Sequence, residues 1–380
     1  MHKVNFENND SVQHIVITGG PCAGKSSVLN AVSEWLTKQG LLPLFIDEAA
    51  TRLQKLGIRP APHYFDPMSF EDILLRMQLN NEELFYMAGK QIAKTTGKRV
   101  VIIQDRGILD VAAYIDKADL ERLLQSNGKS LDVELQKYTA AIHLVTAADG
   151  ASHAYTTKNN EARRESPEQA IKLDQKTYDA YLENMPAGRL FRINNQGSFE
   201  RKKLDTLNAL NAILGLPLIG EKQRKFLISN YAMKKIAAKY GGTKIFVRQT
   251  YLKGTDDTSE RRLRVVSTAD NRRFYSISET IHLPNGERVK KERMLSRGQY
   301  KRLLTEASPN HTPIVKHRTC VNTDGLYLEM DYFRSHHLIH CILEVKSLNE
   351  EAMADITSLP GIVQEITSDI RYLNKEIARK

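Results

Sequence analysis

The chain has 380 residues, which is more than one ordinary core accommodates and predicts two domains. Its hydrophobic content of 41% and charged content of 26% are typical of a soluble protein. The sequence contains no run of about 18 apolar residues, so no membrane span is predicted. A polar start and three cysteines without C-x-x-C spacing predict reduced thiols and a cytoplasmic location.

The net charge of +10 is unevenly distributed along the chain. Residues 219–380 hold 29 Lys and Arg against 19 Asp and Glu, whereas residues 1–218 hold 26 of each. Such asymmetry favours a polyanionic partner for the second half, although a solubilising surface gives the same excess. A nucleic acid is not the expected partner, because no aromatic stacking module is recognisable.

The most informative motif is a glycine-rich stretch that fits the pattern G-x-x-x-x-G-K-[ST]. An apolar run at 14–18 precedes it and predicts a strand, and helical spacing at 27–36 follows it. Such a turn points several backbone amides at one anion, beside the positive end of a helix. The predicted ligand is ATP or GTP with Mg²⁺, held by Gly19, Gly20, Gly24, Lys25, Ser26 and Ser27. The alternative is a chance glycine-rich turn.

Within this motif, Lys25 is predicted to reach the β- and γ-phosphates, and the Ser26 hydroxyl to complete the Mg²⁺ shell.

Further strands are predicted at 42–47, 99–104, 141–146 and 189–193, alternating with helices at 68–95, 168–184 and 199–214. This alternation predicts an α/β P-loop fold with a five-stranded parallel sheet over residues 1–218.

The pattern changes over residues 219–380, where short alternating segments are separated by turn signals. This pattern predicts an antiparallel sheet closed, or nearly closed, into a barrel as a second, α+β domain. The predicted segments are 243–252, 261–267, 272–282, 287–294, 312–320, 325–333 and 338–346, with short helices near 297–305 and 368–379.

Phosphoryl transfer also needs carboxylates for Mg²⁺ and positive charge for the transition state. Asp105 follows the predicted strand at 99–104, and Asp47 and Glu48 follow the strand at 42–47. Because ligands bind at the carboxyl ends of such strands, Asp105 and Asp47 are predicted metal ligands. Glu48 is predicted to orient or deprotonate an acceptor hydroxyl, and Arg106 to contact a phosphate. Helix caps or surface ion pairs are the alternatives.

The polar stretch 147–167 lacks periodicity and carries Arg163 and Arg164. A lid that closes over the phosphates would exclude water and bring these two positive charges to the site. The alternative is a solvated loop without a catalytic role.

Residues 12–218 resemble the P-loop kinase-like ATPases related to nicotinamide riboside kinases and deoxynucleoside kinases. Besides the glycine-rich stretch, the resemblance is carried by Asp47-Glu48-Ala49-Ala50-Thr51-Arg52, Asp105-Arg106-Gly107-Ile108-Leu109-Asp110 and Asn160-Glu161-Ala162-Arg163-Arg164. It implies nucleotide binding and leaves the phosphate acceptor open.

Three pairs of charged residues in the second half are spaced two apart, so each pair shares one face of its strand. The pairs are Arg262 with Arg264, Lys316 with Arg318, and Glu329 with Asp331. Charges inside a barrel are costly unless paired, so inward orientation would indicate a functional interior. The alternative is that all six face solvent.

Residues 219–380 resemble the CYTH, or triphosphate tunnel metalloenzyme, family. The resemblance is carried by the order of six short stretches along the chain. They are Glu221-Lys222-Gln223-Arg224-Lys225, Arg262-Leu263-Arg264, Glu292-Arg293-Met294, Lys316-His317-Arg318, Glu329-Met330-Asp331 and Glu344-Val345-Lys346. It implies a polyphosphate or phosphorylated ligand bound by Lys225, Arg262, Arg264, Lys316, Arg318 and Arg371. It also implies Mg²⁺ or Mn²⁺ held by Glu221, Glu292, Glu329, Asp331 and Glu344.

Three acidic positions of the family pattern are occupied here by Gln223, Lys290 and Lys346. Because hard divalent ions need several anionic oxygens, these replacements should lower metal affinity while preserving affinity for a polyanion. Three functions therefore remain open: a P-loop phosphotransferase or NTPase, a metal-dependent triphosphatase or pyrophosphatase in the tunnel, and a non-catalytic tunnel that senses a polyanion and regulates the ATPase.

Overall fold

The computed structural model describes residues 11–60, 65–152, 166–256, 258–282, 288–323, 325–334, 341–348, 353–354, 356 and 361–380. Side chains at 282 and 288–291 are outside this description. The chain divides into two units, which are Met1–Val28 with Leu41–Gly215 and Leu29–Gly40 with Leu216–Lys380. The assignment of residues 29–40 to the second unit is not foreshadowed in the sequence.

The first unit contains a five-stranded parallel sheet, as predicted. Its strands are β1 (Val12–Thr18), β2 (Leu42–Ile46), β3 (Val100–Asp105), β4 (Ala140–Leu144) and β5 (Leu190–Ile193). The order β2-β3-β1-β4-β5 places β1 between β3 and β4. Every residue of β1 and β4 is buried, as expected for strands covered on both faces.

Local capping chemistry defines several helices around this sheet. The Asp66 side chain accepts a hydrogen bond from the Ser69 amide at the start of the longest helix, and Gly97 ends that helix at φ 66°. Ser166 and Ser198 cap two later helices in the same way. The helices are α1 (Lys25–Lys38), α2 (Ala49–Lys55), α3 (Pro67–Thr96), α4 (Lys117–Ser126), α5 (Leu131–Gln136), α6 (Pro167–Asn184) and α7 (Phe199–Leu214), with a 3₁₀ helix at Ile108–Ala113.

The second unit contains a nine-stranded antiparallel sheet. Its strands are β6 (Lys222–Ile228), β7 (Thr243–Tyr251), β8 (Ser259–Thr268), β9 (Arg273–His282), β10 (Arg288–Leu295), β11 (Ile314–Thr323), β12 (Leu326–Phe333), β13 (Cys341–Ser347) and β14 (Ile362–Glu365). The order is β10-β9-β8-β7-β11-β12-β13-β6-β14. All seven segments predicted from the alternation are strands, and β6 and β14 extend the sheet.

The two faces of this second sheet differ in chemistry. On one face, Phe226, Leu328 and Leu343 pack against Ala232 and Ile236 of α8 (Asn230–Tyr240). The opposite face carries the charged pairs noted above. Two short helices, α9 (Arg297–Leu303) and α10 (Asn374–Ala378), fall in the predicted ranges. In the ranges described, no helix has the length and apolar character that a membrane span requires.

Candidate functional site

The turn between β1 and α1 requires glycine at two positions. Gly19 has φ 136°, and a Cβ atom there would lie 2.1 Å from the Leu144 carbonyl oxygen. Gly24 has φ 85°, and a Cβ atom there would lie 2.6 Å from the Phe199 ring. Any side chain at either position would therefore displace its neighbours, which accounts for the glycines of the motif.

The turn ends where α1 begins. The Ser27 and Val28 amides both donate to the Gly24 carbonyl, each at 3.1 Å. The amides of Lys25 and Ser26 therefore precede the intrahelical ladder and lie at the positive end of the helix, the usual arrangement of an anion site. Asp174 of α6 accepts a hydrogen bond of 2.6 Å from the Gly20 amide and braces the start of the turn.

The Lys25 side chain folds back over the turn. Its ammonium donates to the carbonyl oxygens of Gly19 at 2.7 Å and Gly20 at 3.1 Å. Burial and the nearby Arg106 guanidinium lower the pKa of Lys25 to about 8, against the opposite influence of Asp105 and Glu48. The ammonium therefore lies in a cluster of charges at the carboxyl ends of β1 and β3.

Asp105 is the last residue of β3, and β3 pairs directly with β1. One of its carboxylate oxygens is buried and has no hydrogen-bond partner. Burial raises the pKa of this carboxyl to about 7, although Lys25 acts to lower it. The buried, unpartnered oxygen of Asp105 and the exposed Ser26 hydroxyl at the start of α1 are oxygen donors of the kind that Mg²⁺ takes, which is compatible with the predicted ligand pair. Asp47, by contrast, is exposed beyond β2.

Arg106 and Glu48 form a partly buried ion pair beside Asp105. The Arg106 Nε atom donates to Glu48 at 2.8 Å, and its Nη1 atom donates to Asp110 at 2.9 Å. Burial alone would raise the pKa of Glu48, but Arg106, Lys25 and the Thr51 hydroxyl lower it to about 2. Glu48 is therefore suited to orienting Arg106 and poorly suited to accepting a proton at neutral pH.

Two carboxylates that contact the candidate site, Asp110 and Asp174, were not predicted as site residues. Asp110 accepts hydrogen bonds from Thr18 at 2.7 Å, from the Gly107 amide at 2.9 Å and from Tyr181 at 2.9 Å. Its spacing from Arg106, one helical turn later, was the available signal. Asp174 lies far along the chain, and only the fold brings it to the glycine turn.

The residue before Asp105, Gln104, anchors a buried polar network behind the site. Glu82 of α3 accepts hydrogen bonds from Gln104 at 2.7 Å and from Tyr138 at 2.6 Å. Its second oxygen is buried without a partner. Burial raises the pKa of Glu82 from 4.5 to about 7, despite the opposing hydrogen bonds.

Glu82→Gln is expected to remove a pH dependence of folding stability. Between pH 4.5 and about 7 the folded chain keeps a proton on Glu82 that the unfolded chain has released. The free energy of unfolding of the parent protein therefore falls as the pH rises through this range. The stability of the variant relative to the parent should therefore be about 2–3 kcal/mol greater at pH 8 than at pH 5. Urea unfolding at both pH values measures this difference. If the stability difference between variant and parent is the same at pH 5 and pH 8, Glu82 is ionised in the folded protein at both pH values.

The predicted arginine lid is the segment 147–167, and residues 153–165 of it lie outside the described residues. Arg163 and Arg164 lie outside the described residues, so their predicted role stays a prediction.

The second unit has one charged sheet face, which we define by Lys225, Arg262, Arg264, Lys316, Arg318, Glu329, Asp331 and Glu344. Arg318 of β11 lies directly opposite Asp331 of β12. Glu344 of β13 lies directly opposite Glu329 of β12 on one side and Lys225 of β6 on the other. Residues that are directly opposite on neighbouring strands share one face of the sheet. Lys316, Arg318, Glu329 and Asp331 are each no more than 6% exposed. The solvent-facing alternative is therefore wrong for these four residues.

Ion pairs hold the centre of the charged face together. Arg318 donates to both oxygens of Asp331, each at 2.7 Å, and also pairs with Glu329. Lys316 donates to Asp331 at 2.5 Å. Burial lowers the pKa of Lys316 to about 8. Burial alone would raise the pKa of Asp331, but Arg318 and Lys316 lower the pKa of this carboxyl to about 2. Both carboxylates are thus ionised and already paired.

The remaining predicted residues of this unit are spread more widely. The Lys225 Nζ atom lies 3.7 Å from the Glu344 carboxylate. Glu292 of β10 lies opposite Ser278 of β9. Glu221 is exposed just before β6. Arg371 does not join the charged face, because its exposed side chain pairs with Asp369 in a 3₁₀ turn. Lys346 lies opposite Gln223, and the side chain of Lys290 is not described.

The metal set implied for this face does not fit the contacts. Glu329 and Asp331 are occupied by cationic side chains, as described above. Among the side chains that the structure describes, no three or more His, Cys, Asp or Glu residues form a group that could hold a metal ion.

The parallel sheet and the glycine turn between β1 and α1 define an α/β P-loop fold. Residues 14–202 match a family model described as an AAA domain. A comparison with curated proteins found no match to the chain.

Solved structures resemble parts of the chain weakly. An inorganic triphosphatase is 24% identical, with a TM-score of 0.32, over 43% of this chain and 96% of its own. A thymidylate kinase from Ehrlichia chaffeensis is 16% identical, with a TM-score of 0.37, over 53% of this chain and 100% of its own. A putative adenylate cyclase from Bacillus halodurans is 16% identical, with a TM-score of 0.27, over 40% of this chain and 97% of its own.

Proposed function

We propose that the first unit binds a nucleoside triphosphate with Mg²⁺ and transfers or hydrolyses its γ-phosphate. The observation that carries this proposal is the convergence of three groups at the carboxyl ends of β1 and β3. These groups are the leading amides of α1, the Lys25 ammonium and the buried, unpartnered oxygen of Asp105. An anion with a bound cation satisfies all three at once.

The residues divide the work between binding and orientation. Lys25 and the amides at the start of α1 hold the phosphates, and Ser26 with Asp105 would hold Mg²⁺, which neutralises phosphate charge when bound. Arg106 is held by Glu48 and Asp110, so its guanidinium is oriented before a substrate arrives. Preorganised positive charge of this kind favours the transition state without a reorganisation cost.

For the second unit we propose that the charged face binds a polyphosphate or another phosphorylated ligand. Four buried or half-buried cations, Arg262, Arg264, Lys316 and Arg318, share this face, and the Nε atoms of Arg262 and Arg264 have no hydrogen-bond partner. Donors of this kind suit phosphate oxygens. Because Glu329 and Asp331 are already paired, no metal-dependent hydrolysis is assigned to this face.

Titration calorimetry of the full chain with ATP and GTP, each with Mg²⁺, tests the nucleotide proposal. We expect at least one of them to bind with a Kd between about 1 μM and 1 mM, the usual range for enzyme substrates. The matching nucleoside should bind at least about 100-fold more weakly, because charge-assisted contacts to phosphate supply most of the affinity.

A matched variant, Asp105→Asn, separates the cation from the phosphate contacts. It should weaken binding of Mg²⁺–nucleotide while leaving binding of the metal-free nucleotide unchanged. A nucleoside that binds as tightly as its triphosphate, or a chain that binds neither triphosphate, would contradict the proposal.

A further inference from the structure

The helix that follows the glycine turn contributes its second part to the other unit. Residues 29–40 belong with Leu216–Lys380, and within that unit they pack against the charged face. The Trp35 ring meets the Tyr327 ring edge-on, with centroids 4.7 Å apart, and both residues are buried. Asn322 of β11 donates to Gln39 at 2.9 Å. This part of α1 therefore covers one region of the face.

Two charged residues of α1 enter the ion-pair network. The Glu34 carboxylate pairs with Arg264 of β8 and also with Lys38 at 2.7 Å. Lys38 in turn donates to Glu329 of β12 at 2.6 Å. Burial would raise the pKa of Glu34, but Arg264 and Lys38 hold it well below its usual range. Glu34 is thus a fixed negative charge on a basic surface.

The balance of charge shows what Glu34 contributes. In the ion pairs that the described residues form, the cations Lys38, Arg264, Lys316 and Arg318 are paired with two sheet carboxylates, Glu329 and Asp331, and with Glu34. Glu34 is therefore the third anion of this cluster and the one that α1 supplies.

A small pocket lies beside Glu34, between α1 and the sheet, and is lined in part by Ser276 and Met294. The Nε atoms of Arg262 and Arg264 are buried on the same face without partners. Unused donors therefore lie on the face that the Glu34 carboxylate contacts.

We infer that the Glu34 carboxylate is a built-in substitute for an anionic ligand of the charged face. A linear polyphosphate brings several oxygens of the same charge, competes with Glu34 for Arg264, and separates residues 29–38 from the face. The same helix begins at Lys25 and Ser26, so occupation of the face would be linked to the nucleotide-binding turn. This inference rests on the proposed ligand class of the second unit.

Inorganic tripolyphosphate, titrated in EDTA, is a direct probe. Full-length Lys25→Ala protein is used throughout, so that the glycine turn does not contribute to binding. Removing the internal competitor with Glu34→Gln should tighten tripolyphosphate binding about 5-fold or more, the usual lower bound for coupled sites. Glu183→Gln, an exposed carboxylate on α6, is the matched control and should leave the affinity unchanged.

The movement of α1 has its own readout, because Trp35 is the single tryptophan of the chain. Tripolyphosphate should shift Trp35 emission to longer wavelength in the protein that retains Glu34, as the ring leaves Tyr327. Equal affinity with and without Glu34, or binding without a Trp35 shift, would overturn the inference and leave polyphosphate binding intact. Binding to neither protein would overturn the proposed ligand of the second unit as well. If Glu34→Gln does not fold, the Trp35 shift alone decides.

Discussion

Lys25→Ala is expected to lower nucleotide turnover about 100- to 1000-fold, the usual cost of losing one electrostatic contact to a transition state. The Lys25 ammonium lies 2.7 Å from the Gly19 carbonyl, at the mouth of the turn, and faces Asp105 across the ends of β1 and β3. Phosphate release from Mg²⁺–ATP and Mg²⁺–GTP at saturating concentration measures the effect.

Lys90→Ala provides the control for this experiment. Lys90 lies exposed on α3, where its ammonium stacks over the Tyr86 ring at 4.6 Å, so its removal should leave turnover within twofold of the parent. Comparable thermal unfolding of both variants would show that lost turnover reflects lost chemistry. Parental turnover in Lys25→Ala would refute a catalytic role for the glycine turn.

Arg318→Ala is expected to lower the free energy of unfolding by about 3–5 kcal/mol. The guanidinium is almost wholly buried and pairs with both Asp331 and Glu329. Its removal takes one cationic partner from each carboxylate and leaves Asp331 with Lys316 alone and Glu329 with Lys38 alone. Because water is largely excluded from the site, a carboxylate that loses part of its buried pairing is strongly destabilising. Denaturant unfolding of the full chain, followed through the second unit by Trp35 fluorescence, gives the measurement.

Arg371→Ala is the matched comparison, because Arg371 also pairs with a carboxylate but lies on the surface. Exposed pairs are screened by water, so this variant should unfold at the same denaturant concentration as the parent. If the two arginine variants behave alike, the charged face is hydrated and its ion pairs contribute little to stability.

Much of the geometry of the candidate nucleotide site could be predicted because its parts are adjacent in sequence. The glycine turn follows an apolar strand and precedes a helix, and Asp105 with Arg106 ends another apolar strand. Parallel strands meet at one edge, so these neighbours come together without further information. Asp174 could not be found in the same way, since its contact with the Gly20 amide depends on how α6 packs.

The charged face was predicted from alternation, because residues two apart on a strand must share a side. Alternation does not say which side is buried, and that question was resolved only by the low exposure of Lys316, Arg318, Glu329 and Asp331. Glu34 and Lys38 could not be predicted at all. In sequence they resemble an ordinary surface pair one helical turn apart, and nothing local reveals the strands they contact.

The interleaving of the two units has a practical consequence for any attempt to divide the protein. A fragment cut at the glycine-bounded segment near residue 218 would contain every strand of the second sheet but would lack residues 29–40. Arg264 and Glu329 would lose Glu34 and Lys38, and Tyr327 would lose the Trp35 ring that covers it. The linker that looks like a natural place for proteolysis or domain exchange therefore does not separate self-sufficient halves, and gene fragments joined or split there would inherit an incomplete core.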